Sequence, residues 1–148
     1  MFEEDYMCIN KTDILISQEL SVSDFLSLRR QVDFQPLSIT QAENILKNTT
    51  YITAAYDGSK CIGLTRLLFD YGTDAYITDV IVHPEYQGYG IGKMLIKDVL
   101  LFIKEKSSPH TIVTCSLYAN KGKEMFYEKL GFSRLPNEKY GGGMAIDL

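Results

Sequence analysis

The segment Val80-Ile-Val-His-Pro-Glu-Tyr-Gln-Gly-Tyr-Gly-Ile-Gly-Lys93 constrains this chain more than any other. Ala75–Val82, leading into it, is β-branched and aromatic and predicts a strand. From Gly90 onward Ile91, Met94, Leu95, Val99, Phe102 and Ile103 fall on one apolar stripe, which predicts a long helix ending before Pro109. Glycines 88, 90 and 92 stand where the period changes from two to 3.6. Without side chains a ligand can approach the main chain there. The first N–H groups of the helix point outward, with the positive end of the helix dipole behind them. Such a turn is a phosphate cradle, and the group it fits is a pyrophosphate. Two better-known phosphate loops fail by register. A Walker A loop needs Gly where Gln87 stands and Ser or Thr where Met94 stands. A G-x-G-x-x-G fingerprint begun at Gly88 meets Lys93 in place of its third glycine; begun at Gly90, it lacks that glycine and a later acidic partner in a βαβ unit.

The rest of the chain reads as one α+β domain over residues 1–148, since 148 residues with 45% hydrophobic content fill one core and fall short of two. Asp13–Leu20 predicts a strand, while Ser21 and Ser38 offer caps for helices reaching about Val32 and Lys47-Asn48. Thr50–Tyr56, Cys61–Phe69 and Ala75–Val82 predict antiparallel strands that turn at Asp57-Gly58 and Gly72-Thr-Asp74. Thr111–Leu117 predicts a further strand and Lys121–Leu130 a helix stopped by Gly131. Phe132-Ser-Arg and Met144–Leu148 are expected to close the sheet.

Fifteen basic against nineteen acidic residues give a net charge of −4, which argues against nucleic acid or anionic membrane as a partner. The excess of carboxylates is expected to favour a cationic acceptor. The longest nearly uncharged runs, Leu67–Ile81 and Val99–Ile103, are broken well short of the roughly 18 apolar residues of a membrane span. The acidic start, Met1-Phe-Glu-Glu-Asp, lacks the order of a secretion signal, so a soluble cytoplasmic protein is expected. Cys8, Cys61 and Cys115 form no C-x-x-C pair and are expected as reduced thiols, and His83 and His110 have no partners at metal spacing, so no metal is expected.

Gln87-x-x-Gly90-x-Gly92 closely resembles the acyl-coenzyme A loop of the GNAT N-acetyltransferase superfamily, whose pattern is Q/R-x-x-G-x-G/A. Phe126-Tyr-Glu-Lys-Leu-Gly-Phe132 looks like that family's second signature, about forty-five residues on, so the resemblance covers roughly Tyr76 to Phe132. It implies a mixed, mostly antiparallel sheet of about six to seven strands with about four helices, splayed between the fourth and fifth strands. It also implies acetyl-CoA as co-substrate and a primary amine, of a small molecule, as acceptor. By the same resemblance Val80, Ile81 and Val82 would line the pantetheine arm. Gln87, Gly88, Tyr89, Gly90, Ile91, Gly92 and Lys93 would hold the pyrophosphate. Asn120 would touch the coenzyme or cap a helix. Tyr127 matches the phenol that protonates the departing thiolate.

The general base stays open between Asp79 and Tyr76, which strand alternation puts on opposite faces. Family members that acetylate protein N-termini often carry Glu where Cys115 stands here, which weighs against a peptide acceptor. Phe34, Gln35, Tyr140 and Gly141–Gly143 are the acceptor-side candidates. The adjacent pair Arg29-Arg30 reads either as a carboxylate or phosphate contact or as a helix surface. A monomer and a homodimer are both compatible with the sequence. An acyl-CoA-binding sensor without catalysis and a protein N-acetyltransferase are the competing readings.

Overall fold

The computed structural model describes residues 13–148, which leaves Cys8 outside the described residues. The chain divides into two compact units, one up to Ser116 and one from Leu117 to Leu148.

The first unit runs β1 (Ile14–Ser17), α1 (Val22–Arg30), α2 (Ile39–Lys47), β2 (Tyr51–Asp57), β3 (Lys60–Phe69), β4 (Asp74–Val82) and α3 (Ile91–Lys106), and includes all of β5 (Thr114–Leu117) but its last residue. Both leading helices begin where their serines dictate. Ser21 Oγ accepts from the Asp24 N–H at 3.0 Å. Ser38 forms a reciprocal capping box with Gln41, with bonds of 2.9 and 3.1 Å. The sheet order is β1-β2-β3-β4-β5, and β1 to β4 are antiparallel neighbours. The Thr114 N–H donates to the Thr73 carbonyl at 2.8 Å, joining the leading ends of β5 and β4 across the α3 crossover and making the sheet mixed.

Each face of the sheet carries its own core. Ile14, Ala55 and Ile62 pack with Tyr86, Ile91 and Leu95 on the α3 side. Ala54, Leu64 and Ile81 pack with Phe25, Leu28 and Ala42 on the α1 and α2 side. Neighbouring Ala54 and Ala55 are both wholly buried, one on each face, so the central strands read as continuous apolar runs. The first turn of α3 lies so close to β3 that a Cβ at Gly63 would come within 3.1 Å of both Ile91 Cγ2 and Leu95 Cδ1. Tyr51 and the wholly buried Thr53 both donate to Asp98 of α3, at 2.9 and 2.7 Å.

In the second unit α4 (Glu124–Glu128) ends at Gly131, whose φ of +98° lets the Phe132 N–H reach back to the Tyr127 carbonyl at 3.1 Å. The sequence predicts strands at 132–134 and 144–148, and neither forms: among the described residues the sheet has five strands rather than six or seven. Arg134 is drawn back onto Glu128 of α4. Pro136 has no N–H to offer a ladder, and the Asn137 side chain takes the N–H groups of Lys139 and Tyr140. Gly141–Gly143 then supplies no side chain that would favour an extended pair.

Gly63→Ala is expected to lower stability by about 1–3 kcal/mol, because neither the helix nor the strand can yield without losing packing. Urea unfolding checks this. An alkaline instability is expected as well. Tyr51, Tyr56 and Tyr86 donate to Asp98, Asp24 and Asp57. All three phenols are raised above their ordinary value of 10.0, Tyr51 and Tyr56 chiefly by burial and Tyr86 chiefly by its bond to Asp57. Above about pH 10 the unfolded chain releases protons that the folded chain keeps, so stability is full below that pH and falls as pH rises. The urea midpoint should therefore drop between pH 8 and pH 11, and an unchanged midpoint would contradict the assignment.

Candidate active site

Strand β4 carries one residue more than its partner. Thr78 pairs with Arg66 and Ile81 with Leu64, so three steps along β4 face two along β3. The surplus is taken up at Asp79, whose φ is +49°. This corrects the alternation expected for Tyr76 and Asp79. Tyr76 lies opposite Leu68 and Ile81 opposite Leu64, and Leu64 packs on the α1 side. The bulge turns Asp79 to that side too, so the two acid–base candidates share a face.

Asp79 is fully engaged there. Its Oδ1 accepts from Arg29 Nη1 at 3.0 Å and its Oδ2 from Arg66 Nε at 2.7 Å, with all three side chains only 11–12% exposed. Arg66 also donates to Thr49 Oγ1 at 2.8 Å. Arg29 reaches from the last turn of α1, donates to the Gln35 carbonyl at 3.1 Å, and lies over the rings of Phe34 and Phe25 at 5.1 and 5.4 Å. The acceptor-side candidates Phe34 and Gln35 are thus gathered beside the β4 bulge. Arg66 was not singled out from the sequence, although an arginine in the middle of Leu-Thr-Arg-Leu-Leu-Phe was a visible signal.

Beyond the bulge, Val80 and Val82 are half-buried, while Ile81 joins the α1-side core. The chain then enters the glycine turn under several restraints. The His83 N–H donates to the Ile62 carbonyl at 2.7 Å, and Tyr86, 3% exposed, donates its hydroxyl to Asp57 at 2.7 Å. Gln87 Nε2 returns to the Val82 carbonyl at 3.0 Å, so the side chain of the motif glutamine braces the loop from within. Gly88 and Gly90 have φ of +83° and +84°, a region that side chains disfavour, and a Cβ at Gly88 would meet open space. Gly90 is the N-cap of α3 and supplies no side-chain bond, unlike the serines of α1 and α2. Gln87–Gly90 and Lys93 are exposed. An uncapped, solvent-facing helix start with open room over Gly88 suits an anion such as phosphate.

The second unit holds the other candidates. Tyr127 packs edge-on against Phe126 and Phe132, with ring centroids at 4.9 and 6.0 Å, and burial pushes its phenol above the usual value. Such a group keeps its proton at working pH, as a donor must. Helix α4 starts only at Glu124, with Lys123 at its cap position and no side-chain bond, so Asn120 is not its side-chain cap. The Asn120 carbonyl instead accepts from the Lys123 N–H at 2.9 Å. Tyr140 lies in the Asn137 turn and is 38% exposed.

The sequence profile of the Acetyltransferase (GNAT) family matches residues 18–132. The chain belongs to the GNAT family. It is 28% identical over 140 residues to an uncharacterized N-acetyltransferase, ycf52, of Pyropia yezoensis, covering 92% of this chain and 74% of that one. It is 38% identical to the chloroplastic GCN5-related N-acetyltransferase 2 of Arabidopsis thaliana over 52% of this chain but only 28% of that protein. Among solved structures, a probable acetyltransferase from meticillin-resistant Staphylococcus aureus superposes with a TM-score of 0.78 at 29% identity. That match covers 91% of this chain and 99% of the other. The matches support an N-acetyltransferase of the GNAT family in general, consistent with an acyltransferase. No helix among the described residues is long and apolar enough to cross a membrane.

Neither described cysteine has the makings of a nucleophile in this transfer. Burial pushes the thiols of Cys61 and Cys115 up to about 11. At pH 7.5 fewer than about one in a thousand would be thiolate. Iodoacetamide at that pH, followed by peptide mapping, should leave both largely unmodified in the folded protein and label them rapidly in urea. Rapid labelling of Cys115 in the folded protein would restore it as a candidate nucleophile.

Proposed function

We propose that this enzyme transfers the acetyl group of acetyl-CoA directly to a primary amine of a small molecule, within a single acetyltransferase domain. The observation that carries the cofactor assignment is the start of α3. Its N-cap is a left-handed glycine without a side-chain bond, in a loop whose motif glutamine braces it internally. The main-chain N–H groups of Gly88–Lys93 would hold the pyrophosphate, with Lys93 adding a peripheral charge. The polar groups of Val80–Val82 would pair with the pantetheine arm, and Asn120 would make a further contact with the coenzyme.

Acetyl-CoA supplies the thioester when bound. The amine nitrogen forms a bond to the acetyl carbon, the carbon–sulfur bond breaks, and Tyr127 gives its proton to the departing thiolate. A phenol is protonated at neutral pH and so has a proton to give to the sulfur. The amine must lose a proton in turn. Tyr76, on the same face of β4 as the bulge, is the group we assign to guide it: its hydroxyl oxygen accepts a hydrogen bond from the amine or a bound water, the proton passes through water to solvent, and Tyr127 regains its own proton the same way. Phe34 and Gln35, held beside Asp79, support an acceptor site on the α1 side. Free thiols at Cys61 and Cys115 fit a reducing compartment such as the cytoplasm.

A thiol-release assay with acetyl-CoA against polyamines, arylalkylamines, amino sugars, aminoglycosides and peptides tests the reaction. Turnover should be highest with one of the small amines. Turnover confined to peptides would make this a protein acetyltransferase, and none with any acceptor would leave an acyl-CoA-binding module. Tyr127→Phe should lower kcat at least tenfold while the calorimetric Kd for acetyl-CoA stays within about twofold. Undiminished turnover would remove Tyr127 as the acid.

A further inference from the structure

Asp79 and Arg29 together point to a role that neither the family nor the motif assigns. A carboxylate that acts as general base needs an oxygen aimed at the incoming amine. Both oxygens of Asp79 are instead taken, each by a different guanidinium, one from β3 and one from α1. Arg29 in turn touches three elements at once. Its Nη1 bonds β4 at Asp79, its Nη2 bonds the main chain of the α1–α2 loop at Gln35, and its guanidinium lies over the rings of Phe25 and Phe34. Its Nε is buried without a hydrogen-bond partner. A side chain free to satisfy its own donors would not leave that one unpaired, so the tie between strand and loop, together with ring stacking, sets where the guanidinium lies. Lysine would keep the charge yet lose the planar fork and the stacking that make the triple contact.

We propose that Arg29 is a positioning residue that pins the α1–α2 loop to the β4 bulge, with Asp79 as its anchor rather than the base of the reaction. Resting on the reading of Phe34 and Gln35 as the acceptor wall, the pin fixes the distance between the acceptor amine and the strand along which the acetyl group lies. Arg29 is then a determinant of acceptor affinity and not of coenzyme affinity.

Hydrogen exchange and kinetics on the full chain test this with Arg29→Gln, Arg29→Lys and Asp79→Asn. In both Arg29 variants the amides of residues 32–35 should speed up at least tenfold more than those of α3. The acceptor KM should rise at least tenfold, kcat should change less than threefold, and the Kd for acetyl-CoA should stay within twofold. Asp79→Asn should copy this pattern and keep the acidic limb of the kcat pH profile. Should Arg29→Gln fail to fold, Arg29→Lys carries the same comparison. Unchanged exchange at 32–35 overturns the pin, and loss of the acidic limb in Asp79→Asn restores Asp79 as the base. If the wild-type protein acetylates no amine, the acetyltransferase reading fails, while the exchange measurement still decides whether Arg29 holds the loop.

Discussion

A single surplus residue in β4 sets the arrangement of everything around it. Side chains alternate along a strand, so one inserted residue exchanges the faces for all that follow. Before the bulge Tyr76 and Thr78 share the α1 face; after it Ile81 does, where an unbroken alternation would have turned it toward α3. That exchange seats Ile81 among Phe25, Leu28 and Leu64, and it leaves Val82 to pack under the first turn of α3. It also breaks the β3–β4 ladder locally, so main-chain groups of β4 near Asp79 are released from their neighbour.

The bulge would not hold by itself, since a non-glycine residue at positive φ is disfavoured. Asp79 is among the side chains that tolerate the left-handed region, and its two ion pairs fasten the bulged residue to β3 and α1. With the three groups nearly buried, removing one partner would leave an uncompensated charge, at a cost of about 3–5 kcal/mol. The cluster therefore does structural work whatever it contributes to chemistry. It also explains why an arginine is tolerated inside β3 and another in the last turn of α1. The two face a single carboxylate across the ring of Phe25.

Local rules that act through near neighbours were legible before any coordinates. The serine caps, the strands of the β2–β4 meander, the stripe of α3 and the glycine changeover at 88–92 all follow from spacing within a few residues. Three elements are clearly shorter than their patterns: β1 and β5 keep four residues each, and α4 five, because Lys121-Gly-Lys123 forms a turn before the helix can begin. The bulge left no such signature. Nothing in Tyr-Ile-Thr-Asp-Val-Ile announces an extra residue, since the surplus is defined only against β3, ten or more positions away. The Arg29–Asp79–Arg66 cluster was hidden for the same reason, spanning fifty residues of sequence. The absent closing strands fail differently: Met144, Ile146 and Leu148 do alternate, but a strand needs a partner, and Pro136, the Asn137 turn and three glycines stand between them and one.

Net charge loses most of its force once its carboxylates are traced. Of nineteen acidic residues, Asp24, Asp57 and Asp98 accept from tyrosine hydroxyls and Asp79 from two arginines. These groups join strands to helices and a hairpin to the glycine turn, so they are not a surface field drawing in a cation. Within the nearly buried cluster that ties the α1–α2 loop to β4, two guanidiniums meet one carboxylate. The whole-chain value of −4 is therefore no guide to the charge an acceptor meets. The same reasoning reconciles an acidic protein with an anionic coenzyme. A few main-chain N–H groups converging at one helix end would act on the proposed coenzyme's phosphates at about 3 Å donor to acceptor, whereas the whole-chain charge acts diffusely through screening solvent.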